Sequence, residues 1–179
     1  MALQAALLRG INVGGKAKVG MGDLRGIFAA LGHTGVATYL QSGNVVFEPA
    51  GGTEQQTAAR IAERIAADLG LEVRVLLRTG AELGRVLKGN PYLDRESDPT
   101  KLHVTFLEQS PAPDRAQRLE VPPNETATFT LAGREVYLHC PDGYGRTKLN
   151  NAYIERRLGV AATTRNWKTV MALHDMAAG

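Results

Sequence analysis

The order of apolar segments along the chain is the feature that most restricts its possible folds. A short apolar run from Leu3 to Leu8 predicts a buried strand, and apolar residues at helical spacing follow it. Two β-prone runs separated only by Ser42-Gly43 then predict a hairpin, because a two-residue turn containing glycine suits the primed turns. A capping box at Thr53 to Gln56 starts the next helix, and an apolar run from Val73 to Leu77 predicts another strand. The first half therefore predicts the order β-α-β-β-α-β, followed by a short helix ending near Gly89.

The second half repeats this order of elements without repeating the sequence. Its predicted elements are strands over Leu102 to Glu108, Thr126 to Leu131, Glu135 to Cys140 and Val160 to Thr163, with helices starting at Pro113, at Asn150 or Asn151, and at Asn166. The stretch from Asn90 to Pro99 contains two prolines and several charges, so it is predicted to be a linker. We therefore expect an α+β protein of two ferredoxin-like (βαββαβ) units in tandem, each followed by a helix, over residues 1–89 and 100–179.

Composition excludes several classes of protein and site. The 179 residues are 44% hydrophobic and 22% charged, as in globular domains and unlike coiled coils or disordered chains. The single cysteine, Cys140, excludes a disulfide framework within the chain. The four histidines fall in four separate elements, so no metal site is predicted, and no motif indicates a cofactor or a named reaction.

The chain carries no segment typical of membrane insertion or secretion. No apolar run approaches the roughly 18 residues of a membrane helix, and the N-terminus lacks the basic region of a signal peptide. The net charge of +3 is too small to indicate nucleic acid by itself. We therefore expect a cytoplasmic protein, with no membrane partner and an oligomeric state that the sequence leaves open.

The glycine-rich segment from Arg9 to Gly20 is the most unusual stretch. Gly10, Gly15 and Lys16 satisfy G-x-x-x-x-G-K, most of a phosphate-binding P-loop, but Ala17 stands where the magnesium-binding Ser or Thr belongs. The element order also lacks the parallel sheet of P-loop enzymes. Two interpretations stay open: glycines that only permit tight turns, and a basic concavity rich in N–H groups that binds an anion.

Topology predicts which loops lie together. In an antiparallel βαββαβ sheet, the loop after the first strand and the first hairpin leave the same end, about 10 Å apart. In the second half, the loop from Pro141 to Asn151 and the end of the last strand leave the opposite end of their sheet. The candidate ligand-binding residues of these two rims are Arg9, Asn12, Gly14, Gly15, Lys16, Gln41, Ser42, Asn44, Lys148, Arg165 and Asn166. We also expect the two rims to meet in one cleft, with Gly15 within about 20 Å of Arg165.

Two further residues could suggest chemistry but favour a structural role. Cys140 and His139 are neighbours on a predicted strand, so their side chains point to opposite faces and cannot act as a nucleophile–base pair. Cys140 is therefore expected in the core. Trp167, on a helix face, is also expected to pack in the core rather than to line a site.

Four stretches of the sequence resemble a known family. RGINVGGKAKVGMGDLR, LGHTGVATYLQSGNVVFE, VYLHCPDGYGRTKLNN and AATTRNWKTVMAL are similar to domain-of-unknown-function family 1697, found mostly in bacteria. The resemblance spans nearly the whole chain, although Thr147 stands where a serine is expected. It implies an α+β fold with ferredoxin-like halves and names no activity.

The sequence favours one function over two others. The leading expectation is binding of an anionic ligand, either a nucleotide-like phosphate compound or nucleic acid, by the basic glycine-rich loops. The alternative is a protein–protein interaction module without a small ligand. An enzyme is the third possibility, and no nucleophile or general base can be assigned to it from the sequence.

Overall fold

The computed structural model describes residues 2–11, 19–39 and 43–178. Over these residues the protein is α+β, with two four-stranded antiparallel sheets and six α-helices, which confirms the α+β part of the predicted fold. The chain divides into two compact units, residues 1–84 with 173–179 and residues 85–172. The predicted domain ranges, 1–89 and 100–179, stay a prediction about parts that could fold independently.

The first unit contains one sheet with helices between its strands. Its strands are β1 Gln4–Arg9, β2 Thr34–Tyr39, β3 Asn44–Glu48 and β4 Arg74–Thr79, and its helices between the strands are α1 Met21–Ala30 and α2 Glu54–Leu69. The sheet order is β2-β3-β1-β4. Helix α3, Gly80–Lys88, follows β4 and contributes residues to both units.

Local sequence signals explain how helix α2 starts and stops. Thr53 accepts a hydrogen bond from the Gln56 N–H, and the Gln56 side chain accepts one from the Thr53 N–H, which confirms the predicted capping box. The helix ends at Gly70, whose φ of 67° lies in the left-handed region that glycine adopts without strain. Its buried face packs on one side of the sheet, where the rings of Phe28 and Phe47 meet edge to face at 5.1 Å.

The second unit contains the other sheet. Its strands are β5 Leu102–Leu107, β6 Thr128–Ala132, β7 Glu135–His139 and β8 Ala162–Asn166, and its helices are α4 Pro113–Ala116, α5 Asn151–Leu158 and α6 Trp167–Ala178. The sheet order is β6-β7-β5-β8, and β6 and β7 pair in register around a turn at Gly133-Arg134, as predicted. The last residues of α6 belong to the first unit.

Several parts of the second unit differ from the sequence prediction, among them β6, which begins at Thr128 rather than Thr126. Strand β8 begins later than predicted and continues through Arg165 to Asn166, because Thr-Thr-Arg-Asn pairs with β5 although its sequence is polar. The helix predicted to start at Pro113 is only four residues long and ends at Ala116, and tighter turns continue the chain. The predicted linker is partly packed, since Asn90 and Tyr92 are buried.

The start of α3 is expected to be intolerant of a side chain. A Cβ added at Gly80 would lie 2.7 Å from the Ala177 carbonyl oxygen, whereas a Cβ added at Gly26 in α1 would meet no atom within 4 Å. We expect Gly80→Ala to lower the free energy of unfolding by about 1–3 kcal/mol through overpacking. Gly26→Ala, the matched control, should raise it by about 0.5–1 kcal/mol because alanine favours the helix. Urea denaturation measures both, and equal effects would contradict the packing at Gly80.

Candidate functional site

In the first unit, the two predicted loops start from the same end of the sheet. Asn44, the first residue of β3, lies opposite Leu7 near the end of β1, and the Leu8 N–H donates to the Gly43 carbonyl at 2.9 Å. Gly43 has a φ of 86°, and a Cβ there would lie 2.9 Å from the Leu8 Cβ. The hairpin and β1 therefore approach each other closely at a position that requires glycine.

Two candidate residues of this edge, Arg9 and Asn44, lie within the part of the chain that the structure describes, and their environments differ. Arg9 lies directly opposite Arg74 of β4, so two arginines share this end of the sheet. Asn44 is fully buried, and its side-chain amide donates to the Tyr39 carbonyl at 3.0 Å, so it ties the hairpin together. The other candidates of this rim lie outside the described residues: Asn12, Gly14, Gly15, Lys16, Gln41 and Ser42. The expected proximity of Gly15 to Arg165 also stays a prediction.

The second unit contains a cavity of about 180 Å³ beside the loop that the sequence singled out. Two segments form its walls, residues 124–127 before β6 and residues 140–148 after β7. Its lining residues are Asn124, Glu125, Thr126, Ala127, Cys140, Asp142, Gly143, Arg146, Thr147 and Lys148.

Glu125 holds the two walls of the cavity together. Its carboxylate accepts hydrogen bonds from the Thr147 hydroxyl at 2.9 Å, the Lys148 N–H at 3.1 Å and the Ala127 N–H at 3.2 Å. Desolvation alone would raise the pKa of Glu125, but these hydrogen bonds and the Lys148 charge outweigh it and hold the pKa below its usual value. Glu125 is therefore a fixed, ionised anchor.

The second carboxylate of the cavity is also engaged. The Thr126 hydroxyl donates to Asp142 at 2.6 Å, which adds another link between the two walls. The turns beside these residues use the left-handed region, with a φ of 62° at Asn124 and 89° at Gly143. Asparagine and glycine are the residue types that tolerate this conformation.

Two exposed cationic side chains, those of Arg146 and Lys148, line the cavity. Lys148 donates its N–H to Glu125 and its ammonium to the Pro123 carbonyl at 3.2 Å, so it is fixed at the wall. None of the described residues accepts a hydrogen bond from the Arg146 guanidinium. Arg146 and Lys148 therefore present positive charge at a cavity whose carboxylates are already bonded to the protein.

Cys140 lies in the wall of the cavity but is not a nucleophile. Its side chain is buried, and burial raises the pKa of the thiol to about 12. The thiolate is therefore not populated near neutral pH. Cys140 is a core residue, as the sequence predicted.

The other two candidates of the second rim, Arg165 and Asn166, make hydrogen bonds within the protein. Arg165 is buried, and its guanidinium donates to the Thr163 hydroxyl at 2.9 Å and the Thr164 carbonyl at 3.0 Å. Burial lowers its pKa to about 10, which still leaves it charged near neutral pH. The Asn166 side chain accepts the Thr169 N–H at 2.8 Å and caps α6. Trp167 is buried, as expected.

Sequence reasoning missed the residues that shape this cavity. Asn124 and Glu125 follow two prolines, which is a turn signal, but their role depends on hydrogen bonds to residues more than 20 positions later in the chain. No local pattern marks such a pairing. Among the candidate residues that the structure describes, Lys148 lines the cavity.

One histidine lies close behind the same loop. The ring of His103 stacks on Tyr144 with centroids 4.8 Å apart, and His103 is only 8% exposed. Its Nδ1 is buried without a hydrogen-bond partner, and burial lowers the pKa of His103 to about 4. His103 is therefore neutral near pH 7.

Two kinds of feature were not found in the described ranges. Over residues 2–11, 19–39 and 43–178, no three His, Cys, Asp or Glu side chains cluster as a metal site requires. Across the same part of the chain, no helix combines the length and apolar character needed to cross a bilayer.

Comparisons with known proteins agree with this architecture. The structure of the conserved bacterial protein SP0830 from Streptococcus pneumoniae is similar over 98% of both chains, with a TM-score of 0.74 and 24% sequence identity, which supports the fold alone. A search of curated proteins finds no match. Residues 1–137 match the family described as "Protein of unknown function (DUF1697)", more than half of the chain. The chain therefore belongs to the DUF1697 family.

Proposed function

We propose that this protein binds an anionic, phosphate-containing ligand, either a nucleotide-like compound or nucleic acid. The observation that carries this proposal is the cavity of the second unit, where Arg146 and Lys148 present positive charge while Glu125 and Asp142 are held by protein donors. A phosphate group accepts charge-assisted hydrogen bonds from such cations.

The cavity also limits what else the ligand contains. About 180 Å³ equals the liquid volume of roughly six water molecules, enough for a phosphate and a small attached group. Only one oxygen of Asp142 receives a hydrogen bond from a described residue, so the other can accept from a ligand N–H or hydroxyl group. A phosphate joined to a group with such donors therefore suits the cavity better than a free anion. A longer nucleic acid would place one phosphate and the atoms next to it here and continue outside.

The first unit adds a second basic edge to this proposal. Arg9 and Arg74 are directly opposite on antiparallel strands, so two arginines lie at this edge of the sheet. The sequence places Lys16 and Lys18 in the adjoining loop. Asn12, Gly14, Gly15, Gln41 and Ser42 are proposed to contribute amide and backbone donors to the same edge.

We also propose a fold type for each unit and a cellular location for the protein. Each unit is proposed to be ferredoxin-like, supported by its βαββαβ element order and by the sheet orders β2-β3-β1-β4 and β6-β7-β5-β8. The single, buried cysteine suits a reducing compartment, which supports a cytoplasmic location.

A thermal-shift screen tests the proposed function. Nucleotides, phosphosugars and short oligonucleotides should be compared, since a ligand at 100 times its Kd stabilises the native state by about 2.7 kcal/mol. We expect at least one of these compounds to raise the melting temperature of the protein. Its apparent affinity should fall at least tenfold in the variant that combines Arg146→Gln and Lys148→Gln. Arg64→Gln is the control, because Arg64 pairs with Asp68 on the exposed face of α2. No hit in any class, or equal loss in the control, would contradict the proposal.

Lys16 tests the edge of the first unit separately. We expect Lys16→Ala to weaken binding of an oligonucleotide and to leave the melting temperature of the free protein nearly unchanged, because a loop lysine contributes little to stability. Fluorescence anisotropy and thermal melting measure the two effects. Unchanged binding would restrict the ligand site to the second unit. A large loss of stability would mean that Lys16 is paired in the interior.

A further inference from the structure

A half-buried histidine and glutamate form a pair on the second unit, and neither of them lines the cavity. The Nε2 of His139, at the end of β7, lies 2.8 Å from a carboxylate oxygen of Glu96, and the two side chains are 18% and 17% exposed. The other Glu96 oxygen accepts the Asp98 N–H at 3.2 Å. Both oxygens of the carboxylate are therefore fixed.

This contact determines which nitrogen of His139 is basic. The hydrogen bond from His139, the Asp98 N–H and the nearby Lys101 charge together lower the pKa of Glu96, so its carboxylate is ionised and can only accept. The proton of the neutral imidazole is then on Nε2, and the lone pair is on Nδ1. No described residue donates to Nδ1.

The ring is also held in one orientation. Tyr92 lies with its ring centroid 5.7 Å from that of His139, and the Tyr92 hydroxyl is 3.0 Å from the Thr130 hydroxyl. A carboxylate on one nitrogen and an aromatic wall on the ring leave Nδ1 as the reactive atom. This is the arrangement by which a third group orients and activates a nucleophilic or basic histidine.

We propose that His139 is a nucleophile that accepts a phosphoryl group on Nδ1. In the step with phosphoramidate, whose nitrogen is protonated, the Nδ1 lone pair forms the N–P bond, the P–N bond of the donor breaks, and ammonia leaves with the electron pair of that bond. The proton on Nε2 passes to the Glu96 carboxylate and from there to solvent, and the released ammonia takes up a proton from solvent to become ammonium. This activity goes beyond the proposed ligand binding and uses none of the cavity residues.

The other three histidines provide controls within the same chain. His33 and His103 are only 6% and 8% exposed. His174 is more accessible than His139, with a side chain 30% exposed, and its Nδ1 is 3.7 Å from a carboxylate oxygen of Asp175, a residue that is itself 84% exposed. Exposure alone would therefore favour His174, whereas the orientation of the ring by Glu96 favours His139.

The test is treatment of the folded protein with potassium phosphoramidate, followed by mass spectrometry and by ³¹P and ¹H–¹⁵N NMR of the imidazoles. We expect His139 to be phosphorylated at least tenfold faster than His174, on Nδ1, and His139→Asn to abolish this product. Equal or faster modification of His174 would overturn the proposal. Binding of phosphate ligands in the thermal-shift screen is a separate result, so either proposal can fail alone.

The role of Glu96 as a positioning residue has its own readout. Glu96→Gln preserves the size of the side chain but removes the obligate acceptor, so the Nε2 proton is no longer fixed. We expect the variant to give a mixture of Nδ1 and Nε2 phosphohistidine at residue 139, with circular dichroism unchanged. A structural role alone would change the rate without changing the modified nitrogen. Retention of pure Nδ1 product in Glu96→Gln would therefore contradict the proposed orientation.

Discussion

Glu125→Ala is expected to lower the free energy of unfolding by about 3 kcal/mol. The substitution leaves the Thr147 hydroxyl and the N–H groups of Lys148 and Ala127 without their acceptor. Each donor that is left without an acceptor costs about 1–3 kcal/mol when it is buried. Water reaches part of this site, so the total for the three donors is expected to lie near the low end of that range, at about 1 kcal/mol for each donor. Urea denaturation followed by circular dichroism measures the change.

The same variant should also lose the cavity. Because Glu125 joins the two walls, its removal is expected to reduce phosphate-ligand affinity at least tenfold, although Glu125 is itself negatively charged. Glu125→Gln is the matched variant, since it keeps the shape and one acceptor oxygen and should lose about half as much stability. If Glu125→Ala instead increased affinity with little loss of stability, the carboxylate would be a repulsive charge and not an anchor.

His103→Phe is expected to remove a large pH dependence of stability between pH 6.5 and 4. Burial lowers the pKa of His103 from 6.5 to about 4, so in this window the unfolded chain binds a proton that the folded protein does not. The wild-type protein therefore loses stability as the pH falls from 6.5 to about 4. At about 1.36 kcal/mol per pH unit, the loss amounts to roughly 3 kcal/mol.

Phenylalanine keeps a ring against Tyr144 and removes the titrating group. Urea denaturation of both proteins at pH 7.5 and pH 4.5 gives the comparison, and the wild type should lose more stability than His103→Phe on acidification. At pH 7.5 the variant should be at least as stable, because it also removes the buried Nδ1 that has no partner. Identical losses in the two proteins would show that His103 is protonated in the folded state.

Features that depend on neighbouring residues were predicted correctly from the sequence. The capping box of α2 is one case, with Thr53 accepting the Gln56 N–H at 3.1 Å. The turn between β6 and β7 and the cap at Asn166 were also found. Each of these signals lies within four residues of sequence, where backbone geometry permits few alternatives.

Features that depend on distant pairing could not be predicted in the same way. The polar run Thr164 to Asn166 was not predicted as strand, yet pairing with β5 places Arg165 inside the second unit. Likewise, Glu125 and Lys148 are 23 residues apart and meet only through the folded loop. The sequence singled out the loop that forms one wall of this cavity, but the opposite wall required the structure.

Titration of ¹⁵N-labelled protein with inorganic phosphate at constant ionic strength is the most direct test for an anion site at the cavity. We expect saturable shifts of the amide signals of Gly143, Thr147 and Lys148, which line the cavity, and their loss when Arg146→Gln and Lys148→Gln are combined. Arg64→Gln should leave the titration unchanged. Amide shifts that do not saturate, or that persist equally in the double variant, would contradict an anion site at this cavity.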